Sequence, residues 1–185
     1  FRARHPGLRF FLKEAHSPEV WDALQADELD LGLVADRSVP RQAGWWTVEP
    51  CLDDELIVVR GPSGDPEGGW VTFPAGSALR ELLEEAFPNP DVVMELGSIA
   101  AVKGNVRAGL GRALISRAAV GRDLREGRMV EIPTPSTPLA RRMVLVHRGR
   151  ERLPPAAARL RDLLLDRGTV WGSSEDGPRT PAGEA

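Results

Sequence analysis

The stretch from Gly97 to Ser116, GSIAAVKGNVRAGLGRALIS, admits little besides a turn, a helix, a glycine stop and a strand. Ser98 stands where a side-chain oxygen can cap a helix. Ile99, Val102 and Val106 recur at i, i+3 and i+7 on one face, and Gly109 supplies the left-handed conformation that ends the helix. The apolar run at residues 113–115 then reads as a strand. A helix that returns through a glycine pair into a strand is the second half of an α/β crossover. Its start presents N–H groups with no intrahelical partner, a place where a small anion can sit. The same serine and glycine are also ordinary helix punctuation, and the residues alone leave both roles open.

The chain before this stretch repeats the pattern. Residues 1–4 read as the tail of a helix ended by His5-Pro6-Gly7, since proline disfavours helical geometry in the residue before it. Residues 8–12 predict a strand. Ser17, Pro18 and Glu19 then follow one another as cap, first position and first-turn acid of a helix reaching about Ala26, with Val20, Trp21 and Leu24 on one face. Residues 29–35 form a near-continuous apolar strand, as a buried parallel sheet requires. A polar loop at 38–44 and an apolar strand at 55–59 lead to the Gly/Pro-rich break at residues 61–69. Beyond it come a strand at 70–73, a helix at 78–87 capped by Ser77, and a strand at 92–96. After the central stretch come a helix at 117–125, a strand at 129–132, a second break at 133–138, a strand at 142–147 and an amphipathic helix at 154–167. Residues 169–185 are polar and read as a disordered tail.

Two motifs carry a resemblance. Val106-Arg107-Ala108-Gly109-Leu110-Gly111, with a serine-led helix before it and an apolar strand after it, resembles the effector-binding domain of LysR-type transcriptional regulators. So does Glu28-Leu29-Asp30-Leu31-Gly32-Leu33 behind a helix, although Asp27 stands where that family has glycine. Aspartate tolerates the left-handed conformation better than most residues, so the departure is small. The resemblance covers most of residues 1–168. It implies an α/β, two-lobed periplasmic-binding-protein-like fold, each lobe a mostly parallel sheet flanked by helices, with two crossovers between lobes. The two breaks then place lobe one at residues 1–62 and 139–168, lobe two at 69–132, and the crossover segments at 63–68 and 133–138. In that family a strand and most of a helix precede the position of Phe1, with a winged helix-turn-helix and a linker helix before those. The chain therefore reads as part of that architecture, with lobe one short of its first strand.

The resemblance also implies a function. A small molecule, with a small anion among the candidates, would bind between the lobes, and lobe closure would be passed to DNA through the family's N-terminal helix-turn-helix. Assembly would be a homodimer or homotetramer in the cytoplasm, packed through the helices led by Ser17 and Ser77. Two alternatives remain open: a solute-binding protein of a transporter, and a truncated fragment that binds nothing. The expected effector site gathers three helix starts, at Ser17, Ser77 and Ser98, with Ile99 beside the last. Ala35 and Asp36 form the opposing wall, and Phe73 supplies an apolar surface. Ser98 best matches the family position that meets the effector.

Composition restricts the alternatives. With 185 residues, 42% of them hydrophobic, the chain can bury a real core. A net charge of −3 argues against a basic nucleic-acid face, so DNA contact is expected only from elsewhere. Lys13 and Lys103 are the only lysines, and the arginine excess is assigned no function. Cys51 is the sole cysteine, which excludes an intrachain disulfide and a cysteine zinc cluster; it reads as a small buried hydrophobe or a reactive thiol. The three histidines show no metal-ligand spacing, and no phosphate-loop or nucleophile-elbow motif occurs. Asp53, Asp54 and Glu55 read as a solvated charge run, Trp45 and Trp46 as pocket or surface cover, and Arg141 and Arg142 as a solvated hinge pair or a reach toward an anion. No catalytic residue, cofactor, metal or membrane span is expected.

Overall fold

In the computed structural model the described residues are 1–40 and 44–171; part of the polar loop, at 41–43, and the tail at 172–185 lie outside them. The elements run α1 (Ser17–Gln25), β1 (Gly32–Ala35), β2 (Thr47–Arg60), β3 (Trp70–Thr72), α2 (Ala78–Ala86), β4 (Val92–Glu95), α3 (Ile99–Arg107), β5 (Arg112–Ser116), α4 (Arg117–Arg125), β6 (Val130–Glu131), β7 (Leu139–His147) and α5 (Pro155–Trp171). This is the expected α/β alternation. The helix α5 runs through 169–171, where the composition predicts a disordered tail. No proline interrupts it, and one internal glycine, Gly168, costs a helix only about 1 kcal/mol.

The strands join one mixed sheet in the order β1-β7-β2-β5-β3-β4, with β6 beside β2. Parallel pairing, expected to dominate, is confined to β3 with β4 and β3 with β5. All pairings of β1, β2, β6 and β7 are antiparallel. The cause is β2, which is long and changes partner along its length. It pairs with β7 from Thr47 to Leu56 and with β5 from Leu56 to Arg60, and it runs against both. The loop after it, residues 61–69, is gathered by Arg60, whose Nη1 donates to the carbonyls of Gly61, Pro62 and Gly64 at 2.9, 2.8 and 3.2 Å.

The core lies in three clusters. One face of the β2–β5–β3 region packs Ile57, Val71 and Ile115 against Val102 and Val106 of α3, and the other packs Val58, Trp70 and Leu114 against Leu83 of α2. The third cluster sets Val20, Trp21 and Leu24 of α1 against Val34, Val144 and Val146. The i, i+3, i+7 spacing read at α3 thus buries Val102 and Val106 completely, and Gly109 closes that helix at φ +81°. Asp27 takes φ +59°, the left-handed conformation expected of it.

Two local expectations fail. Residues 8–12 form no strand, because among the described residues nothing pairs with them; Phe10, Phe11 and Leu12 are left 45, 76 and 95% exposed. Ser17 does not cap α1. His16 holds the extended N-cap position, and Ser17 is already inside the first turn.

Candidate functional site

A cleft of about 220 Å³ opens between the start of α1, β1 and β7 on one side and the starts of α2 and α3 on the other. Ser17, Ala35, Phe73, Ser77 and Ile99 line it together. Ser98 and Asp36 are not among its lining residues; Ser98 stands between the lining residues Gly97 and Ile99, and Asp36 follows Ala35 at the start of a short 3-10 turn, exposed.

Helix starts supply much of this wall. Ser77 Oγ accepts from the Arg80 N–H at 3.3 Å, and Ser98 Oγ accepts from the Ala101 N–H at 3.2 Å, so both serines cap as expected. The next free amide of α3, that of Ile99, donates to Glu14 Oε1 at 2.8 Å. A carboxylate from the far side of the cleft therefore already sits on this helix start, where the unpaired N–H groups and the helix dipole favour negative charge.

The other wall divides the arginine pair that the sequence leaves between a solvated hinge and a reach toward an anion. Side chains alternate along a strand, so Arg141 and Met143 of β7 reach the cleft together. Arg142 lies on the opposite face and pairs with exposed Asp53 at 2.9 Å. Arg141 Nε donates to Asp54 Oδ2 at 2.8 Å, and Ser116 Oγ donates to Asp54 Oδ1 at 2.9 Å. Asp54 is 7% exposed, so the middle of the Asp53-Asp54-Glu55 run is a buried anchor and not a solvated face. The period-two alternation of β7 is the signal that separates Arg141 from Arg142.

Other polar clusters are structural. Asp123, 2% exposed, accepts from Lys103 Nζ at 2.8 Å and Arg128 Nε at 2.9 Å. Burial pushes its carboxyl up, but the hydrogen bonds from Lys103 and Arg128 outweigh that and hold it below the usual range. Fully buried His147 lies 2.8 Å from Glu49 Oε2, which also takes Arg161 Nε at 2.6 Å. Burial raises the Glu49 carboxyl, yet its bonds to Arg161 and His147 bring it below its ordinary value. Burial, then the Glu49 charge, raises the Cys51 thiol, as befits a packed side chain and not a nucleophile. Among the described residues no group of three His, Cys, Asp or Glu is placed to hold a metal ion, and no helix is long and apolar enough to cross a membrane. A second recess of about 530 Å³ is lined by Trp21, Trp45, Trp46 and Arg148, among others; none of the residues expected at the effector site borders it.

An α/β sheet of this order, with the start of α1 on one wall of a cleft and the starts of α2 and α3 on the other, has the architecture of the periplasmic-binding-protein-like kind. The family model of the LysR substrate binding domain matches residues 1–169, and the chain belongs to that family. An uncharacterised HTH-type transcriptional regulator YeiE of Escherichia coli K12 is 28% identical over 177 residues, covering 88% of this chain and 59% of the regulator, so the chain spans about three-fifths of that relative's length. Among solved structures, the regulatory domain of CcmR from Synechocystis PCC6803 in complex with 2-PG superposes with a TM-score of 0.72 at 18% identity, covering 90% of this chain and 86% of that one. The effector-binding domain of QuiR in complex with shikimate gives 0.67 at 16% identity, covering 87% and 81%. The likenesses to solved structures show the fold, and the relative YeiE carries the name of a transcriptional regulator.

Proposed function

We propose that the chain is the effector-sensing part of a LysR-type transcriptional regulator and that the cleft is its effector site. One observation carries this reading: Ser17, Ala35, Phe73, Ser77 and Ile99, drawn from separate elements, line a single cleft between two sets of helix starts. That domains of the same fold hold 2-PG and shikimate supports it. The family membership weighs against the transporter alternative.

In this reading the two lobes meet along β2 and β7. The division expected from the two breaks, lobe one at 1–62 and 139–168 and lobe two at 69–132, moves its first boundary back to Leu56 in this reading, because Ile57 to Arg60 pair with β5 and Ile57 to Val59 pack with α2 and α3; that change of partner is the line about which the lobes move. Effector binding stabilises one closure angle at the expense of others, which requires differential contact with both walls. The regulator acts as a homodimer or homotetramer in the cytoplasm, and DNA is bound through the family's N-terminal helix-turn-helix.

A thermal-shift screen of metabolites tests the proposal. A compound at a hundredfold excess over its Kd stabilises by about 2.7 kcal/mol, a rise of roughly 5–11 °C for a domain of this size. Absence of any stabilising compound across a broad metabolite library contradicts it.

A further inference from the structure

Resting on the effector-site reading, we infer that the cleft selects a molecule bearing a carboxylate or phosphate, and that Arg141 is the residue that selects it. Arg141 lines the cleft with a side chain only 16% exposed. Its Nε is spent on Asp54, whose own side chain is 2% exposed and whose other oxygen is held by Ser116. That anchor fixes the plane of the guanidinium. Among the described residues no hydrogen bond leaves its Nη1 or Nη2.

A guanidinium bound through Nε alone still offers the edge whose two parallel N–H groups match a carboxylate or phosphate. An uncharged ligand covering that edge leaves its donors without an acceptor, and sites built this way discriminate strongly against such ligands. Arg142, one residue on, cannot substitute, because it lies on the opposite face and is paired with Asp53. The remaining charged group on the cleft wall is Glu14, and its carboxylate is drawn aside onto the Ile99 amide, where an acid oxygen is already accommodated.

The test is calorimetric titration of the chain with inorganic phosphate, phosphoglycolate, benzoate and shikimate, each organic acid beside its methyl ester, and with the strongest compound from the thermal screen. The chains compared are the wild type, Arg141→Lys, and the double variant Arg141→Gln/Asp54→Asn, which removes both charges so that no buried carboxylate is left uncompensated. At least one acid binds the wild type, its ester binds at least about tenfold more weakly, Arg141→Lys loses part of the affinity, and the double variant loses at least about tenfold. Guanidinium-selective NMR of the wild type, with Arg141 Nη signals moving on addition of the bound acid, keeps the inference testable should the double variant not fold. Acid and ester binding alike, equal binding by the double variant, or no acid bound overturns it. If an uncharged screening compound binds the cleft equally in all three chains, the selection by Arg141 falls and the effector site stands; if nothing binds the cleft, both fall.

Discussion

At the β3–β4–β5 end of the sheet, α2, α3 and α4 each begin on a serine whose hydroxyl accepts from the amide three residues on, whereas at the β1–β7 end α1 begins behind His16 with no side-chain cap. The first end is written in short-range terms: a cap, an apolar stripe, a glycine stop. The second is assembled from far-apart pieces. Arg161 reaches Glu49 across 112 positions, Arg141 reaches Asp54 across 87, and β1 has β7 as its one partner among the described residues. Leu33 of β1, at this end, is 45% exposed. The cleft is formed where the two ends face each other, so half of its wall comes from local signals and half from long-range pairing.

The largest effect that can break this contrast is in the core. Leu83→Ala empties a fully buried position between α2 and the sheet and should cost about 2–5 kcal/mol by denaturant unfolding. Leu33→Ala, on the open strand β1, should change stability by no more than about 0.5 kcal/mol. Equal costs at the two positions erase the distinction.

Next in size is Asp123. Asp123→Asn leaves Lys103 and Arg128 without their buried acceptor charge and should cost about 1–3 kcal/mol near neutral pH. Because the folded-state pKa of Asp123 lies below its unfolded value, its contribution is fully present above the unfolded pKa and is lost as pH falls through the folded one. The stability gap between wild type and variant should therefore shrink below about pH 4. A gap that stays constant from neutral pH into that range contradicts the assignment of the ion network.

The capping serines give the smallest and sharpest comparison. Ser98→Ala and Ser77→Ala should each cost about 1 kcal/mol, since each removes an observed cap hydrogen bond. Ser17→Ala removes none and should stay within about 0.5 kcal/mol. Thermal melts of the three variants separate the two ends directly, and a Ser17→Ala loss as large as that of Ser98→Ala counts against the contrast.

The same division decides which parts of the molecule are legible in the amino-acid sequence. The helix at 99–107 is legible to its last turn because Ser98, the valine spacing and Gly109 all act within a dozen residues. Asp27 is legible because few residue types accept φ +59°. The strand direction is not, since antiparallel pairing of β2 with β7 and β5 is set by where distant segments meet. Nor is the burial of Asp54, which looks on sequence like the middle of a solvated acidic run and becomes buried only once Ser116 and Arg141 arrive from elsewhere. Of the cleft, the residues contributed by helix starts are readable, while Glu14 and Arg141 depend on the packing of the two walls.

The central claim is that the cleft between these ends is the effector site, and a crystal structure with the compound of largest thermal shift tests it most directly. The account predicts the compound between Ser77 and Ile99 on one wall and Ala35 and Arg141 on the other, with the Glu14 carboxylate displaced from the Ile99 amide. A compound seated instead in the recess beside Trp46 and Arg148, with Glu14 still on that amide, would contradict it.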